Sequence, residues 1–303
     1  MTRSNRHLGV WILGTLLLAT LGACSTSQAS TPTIVPSATP IPDQGVVLNV
    51  LIGSTDLAVG ENRLVFAILD ADGEPVKQDS VALSFAYQDG SESIPEGEVT
   101  AVFRQWPYGR GVYTAQASFD RAGTWRMDVD TQLQGQLLVG RTLLEVGQIS
   151  VTPALGSRPP SSHSKTLGGV DRLEDLTTDP LPDEELYSIT IAEALQAGKP
   201  LVVTFATPAF CLSAICGPQV DVVHDVKTGY SGRVNFIHVE VFDNPVEMRE
   251  DVKKGRLSPV MVEWGLESEP YTFVIDALGI VSAKFEGFAT AEELNNAIED
   301  TLS

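Results

Sequence analysis

The sequence predicts two folded parts in series, an antiparallel β-sandwich over residues 45–150 and an α/β domain over residues 184–303. Three observations carry this. From Val46 onward apolar and polar residues alternate with period two and break at Asp72-Gly73, Asp89-Gly90, Tyr108-Gly109 and Ala122-Gly123, the pattern of short half-buried strands between turns. From residue 184 onward, apolar β-branched runs alternate with helix-period segments, the pattern of a mixed sheet covered by helices. The three cysteines divide unevenly, with Cys24 alone near the N-terminus and Cys211 and Cys216 together in the second part. A chain of 303 residues has length for two buried cores, and its net charge of −19 repels nucleic acid and anionic lipid heads, so no nucleic-acid partner is expected.

Residues 1–23 read as a leader. Arg3, Arg6 and His7 form a basic start, and Leu8 to Leu21 is an apolar run of about fourteen residues, too short to span a bilayer comfortably. The run closes on Leu21-Gly22-Ala23-Cys24, which resembles the lipobox of bacterial lipoproteins. That resemblance implies that Cys24 is lipidated, carries palmitate, becomes the mature N-terminus and anchors the chain outside the cytoplasmic membrane. Residues 24–44, rich in Ser, Thr and Pro, cannot bury enough apolar surface to fold and read as an extended tether. An extracytoplasmic body lies where disulfides persist.

The expected strands of the first domain are Val46–Ile52, Arg63–Asp70, Val81–Tyr87, Glu98–Phe103, Val112–Phe119, Thr124–Asp130 and Leu137–Val146. Tyr113, Ala115, Ala117 and Phe119 share one face, which Trp125, Met127 and Val129 continue after Gly123. Gly111-Val-Tyr113 through Phe119, with Ala122-Gly123-Thr124-Trp125, resembles the Ig-like domains of YtkA/FixH type in bacterial envelope proteins. The resemblance implies an Ig-like sandwich. Some related sandwiches bind copper through His and Met, but residues 45–150 contain no His and only Met127, on the core face. A spacer or protein-contact module is the expected role. Residues 151–183, with Pro153, Pro159, Pro160, Pro180 and Pro182, read as a linker that holds His163.

The second domain reads as a helix from Ser188 to Ala197 with Ser188 as N-cap, a strand Leu201–Phe205, a helix Pro218–Val226 and a strand Val234–Phe242. A helix Val246–Lys254 and a hairpin of Pro270–Ile275 with Ile280–Phe285 around Asp276…Gly279 follow. A last helix, Thr290–Leu302, starts on Thr290 and Glu293 at capping-box spacing. Between the first strand and its helix lies Thr207-Pro-Ala-Phe210-Cys211-Leu-Ser-Ala-Ile-Cys216-Gly217-Pro218. Helix N-termini present unpaired N–H groups that stabilise a thiolate. On a regular helix residues five apart lie about 8 Å apart, beyond the reach of a disulfide. Either Cys211 therefore precedes the helix or a local turn opens when the bond forms.

This order, with thiols after the first strand and Glu269-Pro270 before the hairpin, resembles the thioredoxin superfamily. The resemblance implies that Pro270 is a cis-proline facing the redox site and that Phe210, Glu269 and Pro270 shape a substrate groove. Three departures stand out. The spacing is Cys-x4-Cys rather than Cys-x-x-Cys, which also allows Cys216-Gly217-Pro218-Gln219 to be the family motif with Cys211 supplied from upstream. Thr204 takes the place of the family's buried carboxylate, and Phe210 that of its tryptophan. The leading expectation is a membrane-anchored thiol–disulfide oxidoreductase in which Cys211 attacks and Cys216 resolves, acting on envelope proteins that bear thiols or disulfides. It needs no cofactor and no metal. The alternatives are a non-enzymatic envelope binding module with a structural disulfide, copper handling as in Sco-type proteins, and a peroxidase resembling peroxiredoxins, in which a threonine such as Thr207 precedes the cysteine. His224 and His238 are the histidines of this domain, the latter inside a strand and so expected in the core.

Overall fold

The structure, a computed structural model, describes residues 46–90, 92–133 and 135–303. The expectations for the leader, for Cys24 and for the tether fall outside the described residues. Among the described residues no helix is long and apolar enough to cross a membrane.

Seven strands build the first part: β1 (Val46–Ile52), β2 (Gly60–Leu69), β3 (Ser80–Asp89), β4 (Glu92–Gln105), β5 (Gly111–Phe119), β6 (Gly123–Leu133) and β7 (Gln136–Val146). Alternation puts Leu64, Phe66 and Ile68, then Tyr113 to Phe119, then Trp125, Met127 and Val129 into one core, as expected. The closure of the sheet differs from the expected Ig-like sandwich. The strands form one sheet in the order β1-β2-β5-β4-β3-β6-β7 that closes as a barrel. Closure comes from β1, which pairs antiparallel with β2 (Val50 opposite Ile68) and parallel with β7 (Val47 opposite Val139). Neither end of the sheet is left as an unpaired edge. Period-two patterning sets which face a residue takes but not which strand it pairs with, so this contact is invisible to it. β4 also starts earlier than expected and takes in Pro95, opposite an irregularity of register between Phe85 and Ala86.

Residues 151–183 are held more tightly than a linker composition suggests. Thr152, Ser162, Ser164, Leu176, Thr177 and Thr178 are buried. Gly265 has φ +64°, and a Cβ there would stand 2.4 Å from the Val151 carbonyl oxygen, so only glycine fits this crossing.

The second part is a four-stranded sheet in the order β11-β10-β8-β9, built from β8 (Leu201–Ala206), β9 (Asn235–Glu240), β10 (Tyr271–Ile275) and β11 (Val281–Glu286). β9 runs parallel to β8, while β10 runs antiparallel to both β8 and β11. Helices α1 (Ile191–Gln196), α2 (Cys216–Thr228), α3 (Pro245–Glu250), α4 (Pro259–Glu263) and α5 (Ala291–Leu302) complete it. Leu201, Val203 and Phe205 enter one core and Val202 and Ala206 the other, which is why β8 reads as an unbroken apolar run. The first helix starts later than expected. Thr190, not Ser188, is its N-cap, because Thr190 and Glu193 form a complete capping box. The expected helix 246–254 ends at Glu250, where Asp251 is extended and a separate 3₁₀ turn follows. The capping box of Thr190 recurs at Thr290 and Glu293 on α5, as expected.

The two parts meet through buried charge. Arg63 of β2 pairs with Glu293 at 2.9 Å and donates to the carbonyls of Glu286 and Phe288. Its guanidinium lies 5.3 Å from the centre of the Phe285 ring. Asp56, after β1, accepts hydrogen bonds from Ser150 and Thr152 and pairs with Lys284 of β11 at 3.0 Å. Burial alone would raise the Asp56 carboxyl, but the Ser150 and Thr152 hydrogen bonds and the Lys284 charge outweigh it and bring it down to about 2.

Candidate functional site

β8 ends at Ala206, and Thr207-Pro208 turn the chain into a loop that returns as α2 at Cys216. Ile215 caps α2 without a side-chain hydrogen bond, so the first-turn N–H groups of the helix have no side-chain cap beside Cys216. Cys211 lies in the loop before the helix, which settles the geometric question left by the five-residue separation. Its Cα is 5.9 Å from that of Cys216, and the two sulfurs are bonded. Ala214 between them has φ +59°, a left-handed conformation that costs an alanine about 1 kcal/mol, and its N–H donates to the Cys211 carbonyl at 3.2 Å.

The two sulfurs differ in access. Cys216 has no exposed surface, whereas Cys211 is half-buried and accepts a hydrogen bond from the Ser213 hydroxyl at 3.1 Å. Leu212 next to it is fully exposed.

The Glu269–Pro270 peptide bond is cis and leads into β10, with Pro270 buried. One Glu269 carboxylate oxygen and the two sulfurs all lie within 4.8 Å of one another. The same carboxylate accepts the Thr207 N–H at 2.5 Å. Burial pushes the Glu269 carboxyl above its ordinary value, against the Thr207 N–H that favours the charged form. Of the residues expected to shape a groove, Glu269 stands at the disulfide through its carboxylate, Pro270 follows it across the cis bond, and Phe210 is half-buried in the loop just before Cys211.

A second carboxylate stands behind the first. Glu240 closes β9 and is 6 % exposed. Its Oε2 accepts from the Thr178 N–H (2.7 Å) and hydroxyl (2.9 Å), and Thr178 Oγ1 in turn accepts the N–H of Ala209 in the redox loop (3.2 Å). Burial pushes Glu240 up to about 7, and the negative charge of Glu269 adds to the rise. The Thr207 hydroxyl faces both carboxylates yet makes no hydrogen bond of good geometry. Sequence reasoning missed Glu240. The signal was an acid ending Phe236-Ile-His-Val-Glu240, a strand buried on both faces.

The barrel supplies a further wall. Trp106, Pro107 and Arg110, in the turn between β4 and β5, line a cleft of about 240 Å³ together with Ser213, Ala214, Ile215 and Pro218. Trp106 packs on Phe288 with ring centres 6.1 Å apart, and its indole N–H is buried without an acceptor. This crossing between domains leaves no trace in either domain's own pattern.

Both histidines of this domain are engaged by other groups. His238 accepts the Tyr187 hydroxyl at Nδ1 (2.6 Å) and donates from Nε2 to the Ala206 carbonyl (3.0 Å), so both ring nitrogens are used within the core. His224 pairs with Asp183 at 2.9 Å.

Residues 46–130 match the YtkA-like family model. Among solved structures, a thiol:disulfide interchange protein of the thioredoxin family from Chlorobium tepidum is similar at 18% identity and TM-score 0.35, covering 50% of this chain and 99% of its own. A DsbF homologue from Corynebacterium diphtheriae is similar at 17% identity and TM-score 0.33, covering 49% of this chain and 90% of its own. StoA from Bacillus subtilis is similar at 19% identity and TM-score 0.30, covering 48% of this chain and 98% of its own. No curated protein matches the sequence.

Proposed function

We propose that this chain is a thiol–disulfide oxidoreductase that works through the Cys211–Cys216 pair, held outside the cytoplasmic membrane by a lipid on Cys24. The observation that carries the reading is the asymmetry of the pair. One sulfur is reachable in a loop and the other is fully buried at the first position of a helix, with the cis bond before Pro270 beside them. In the reduced protein the Cys211 thiolate attacks a partner's disulfide, and the partner's first sulfur leaves as a thiolate that takes up a proton. Cys216 then loses its proton and attacks Cys211 Sγ. The mixed disulfide breaks, the partner's second sulfur leaves, and the two electrons of the dithiol have passed to the partner. The same atoms run the exchange in reverse. Leu212 and Phe210 on the loop, with Trp106 and Arg110 across the cleft, form the surface that meets the partner polypeptide.

The alternatives find less support. Copper handling of the Sco type needs an imidazole with the thiolates, and both histidines of this domain are engaged elsewhere. The peroxidase reading needs Thr207 on the attacking sulfur, but that hydroxyl faces Glu240 and Glu269.

The reduction potential of the pair in glutathione buffers, read by thiol trapping, tests the proposal. A value between about −120 and −270 mV is expected of an exchanger, whereas a bond that stays oxidised below about −300 mV is a structural staple and removes the exchange reading. Labelling with palmitate, lost in Cys24→Ala, tests the anchor separately.

A further inference from the structure

We infer that Glu269 and Glu240 act as a carboxyl pair that holds one proton beside the disulfide and delivers it to Cys216 when the bond opens. This rests on the exchange reading above and assigns its proton chemistry.

The need is set by burial. Whichever thiolate attacks Cys211, the electron pair of the broken bond leaves on Cys216 Sγ, which has no contact with solvent. A sulfur anion there is costly unless a proton arrives as it forms. Water cannot bring that proton directly, and most of the buried polar groups of the same sheet and helix have none to give. Thr204 shares a hydrogen bond with Thr272 at 3.0 Å, and Gln219 accepts the Ala289 N–H at 2.7 Å. Glu269 stands beside the sulfurs, with a carboxylate oxygen within 4.8 Å of both.

The proton is resident because the half-buried Glu269 and the buried Glu240 flank the same stretch of chain: Glu269 accepts the Thr207 N–H, and Glu240 stands on β9 opposite Ala206, the residue before Thr207. The buried Thr207 hydroxyl faces both, and the charge of Glu269 raises Glu240. Glu240 has one oxygen held by Thr178, while its Oε1 is buried with no partner. Two such groups cannot both ionise cheaply, so the pair keeps one proton and titrates as a unit. His238 is the other titratable group on β9, and it and Tyr187 bond each other, neutral. On the linker side stand Asp179 and the Arg249 guanidinium, which is spent on the Thr177 carbonyl. The far side of Glu240 lines a cavity of about 310 Å³ that also holds His163, Lys165, Asp175, Asp243 and Glu263, a polar route by which the pair is reprotonated.

The step balances. An attacking thiolate bonds to Cys211 Sγ, the Sγ–Sγ bond breaks, its electron pair goes to Cys216 Sγ, and the carboxyl proton moves to that sulfur. The pair is left doubly ionised until solvent restores the proton. In the opposite direction the same pair takes the Cys216 proton and frees the thiolate that closes the disulfide.

The test is reduction of the full chain by excess dithiothreitol across a pH series, followed by alkylation and mass spectrometry, with rates divided by the thiolate fraction of the reagent. In the wild type the rate per thiolate should fall about tenfold to a hundredfold as pH rises through neutrality. Glu269→Gln should lie at the lower level throughout, and Glu240→Gln should move the fall to lower pH, because the remaining acid ionises alone. Glu269→Asp should restore part of the inflection. Profiles of Glu269→Gln and wild type that superimpose in shape would overturn the inference. If a variant fails to fold, carboxyl ¹³C titration of the oxidised wild type decides instead. Two coupled steps with the upper one near neutrality are expected, and two ordinary acids would overturn it. Excess dithiothreitol opens the bond whether or not the protein is an exchanger, so a very low potential would remove the exchange reading while this test still stands on its own.

Discussion

Arg63 on the barrel and Glu293 on α5 form a 2.9 Å ion pair whose side chains are 5 % and 11 % exposed, and Glu293 is at the same time the closing residue of the helix's capping box. One carboxylate therefore fixes both the start of α5 and the position of the barrel against it. Removing one partner of a buried pair leaves the other charge unneutralised, so Arg63→Ala should lower stability by about 3 kcal/mol. Glu293→Ala should cost at least as much, since it also removes the cap. The double variant should cost less than the sum of the two, because they act on one network. Denaturant unfolding of the three variants checks this, and additive losses would mean the pair is not coupled.

Two buried groups two residues apart on β9, His238 and Glu240, should set opposing slopes of stability with pH. Glu240 is raised from 4.5 to about 7, so the folded chain keeps a proton that the unfolded chain gives up. Its contribution is fully present below about pH 4.5 and is lost as pH rises to about 7. His238 is lowered from 6.5 to about 4, so the unfolded chain takes up a proton that the folded one refuses. Its contribution is present above about pH 6.5 and is lost as pH falls to about 4. Each amounts to about 3 kcal/mol, and between roughly pH 4.5 and 6.5 they nearly cancel. Wild type should therefore show a flat melting temperature in that range. Glu240→Gln should expose a fall toward acid, and His238→Gln a fall toward neutrality. Parallel pH curves for the three proteins would show that neither group carries the linkage.

The Tyr187 hydroxyl is held by His238 Nδ1 at 2.6 Å in the same core, and Tyr187 is itself 1 % exposed. Tyr187→Phe keeps the ring and leaves the imidazole nitrogen buried without a donor. A loss of about 1–3 kcal/mol is expected, close to the cost of an unsatisfied buried acceptor. Denaturant unfolding of Tyr187→Phe near pH 7 checks this, and a loss close to zero would mean that the hydroxyl contributes nothing beyond the packing of the ring.

What the sequence shows and what it hides divide along physical lines. The strands of both parts, the capping box of Thr290 and Glu293, the turn at Asp276…Gly279 and the thiols at the start of a helix are local, and periodicity and turn chemistry expose them. The resemblance of Glu269-Pro270 to a cis-proline segment agrees with the cis bond observed. Barrel closure through β1 and β7, and the meeting of Trp106 with the redox loop, join residues about ninety to more than a hundred positions apart, and no local pattern encodes such pairs. Glu240 was readable as an acid in an apolar strand, but its nearness to Glu269 depends on which strands are neighbours.

Trp106 provides the sharpest test of whether the barrel takes part in choosing the partner. Its turn shares a cleft with Ser213 to Ile215, beside the exposed Leu212, and its indole N–H has no acceptor in the folded chain. A small disulfide needs only Cys211, whereas a polypeptide disulfide must lay several residues across the loop and into that cleft. Trp106→Ala should therefore leave exchange with oxidised glutathione unchanged within about twofold and slow exchange with a disulfide-bonded peptide about tenfold, a loss of the size expected for a buried aromatic contact at an interface. Arg110→Glu should act in the same selective way, most strongly on peptides with acidic residues near the cysteine, because it reverses the one charge the barrel presents to this cleft. Equal slowing of both substrates would place the effect in the redox loop itself, transmitted through the Trp106–Phe288 contact, and would take the barrel out of partner recognition.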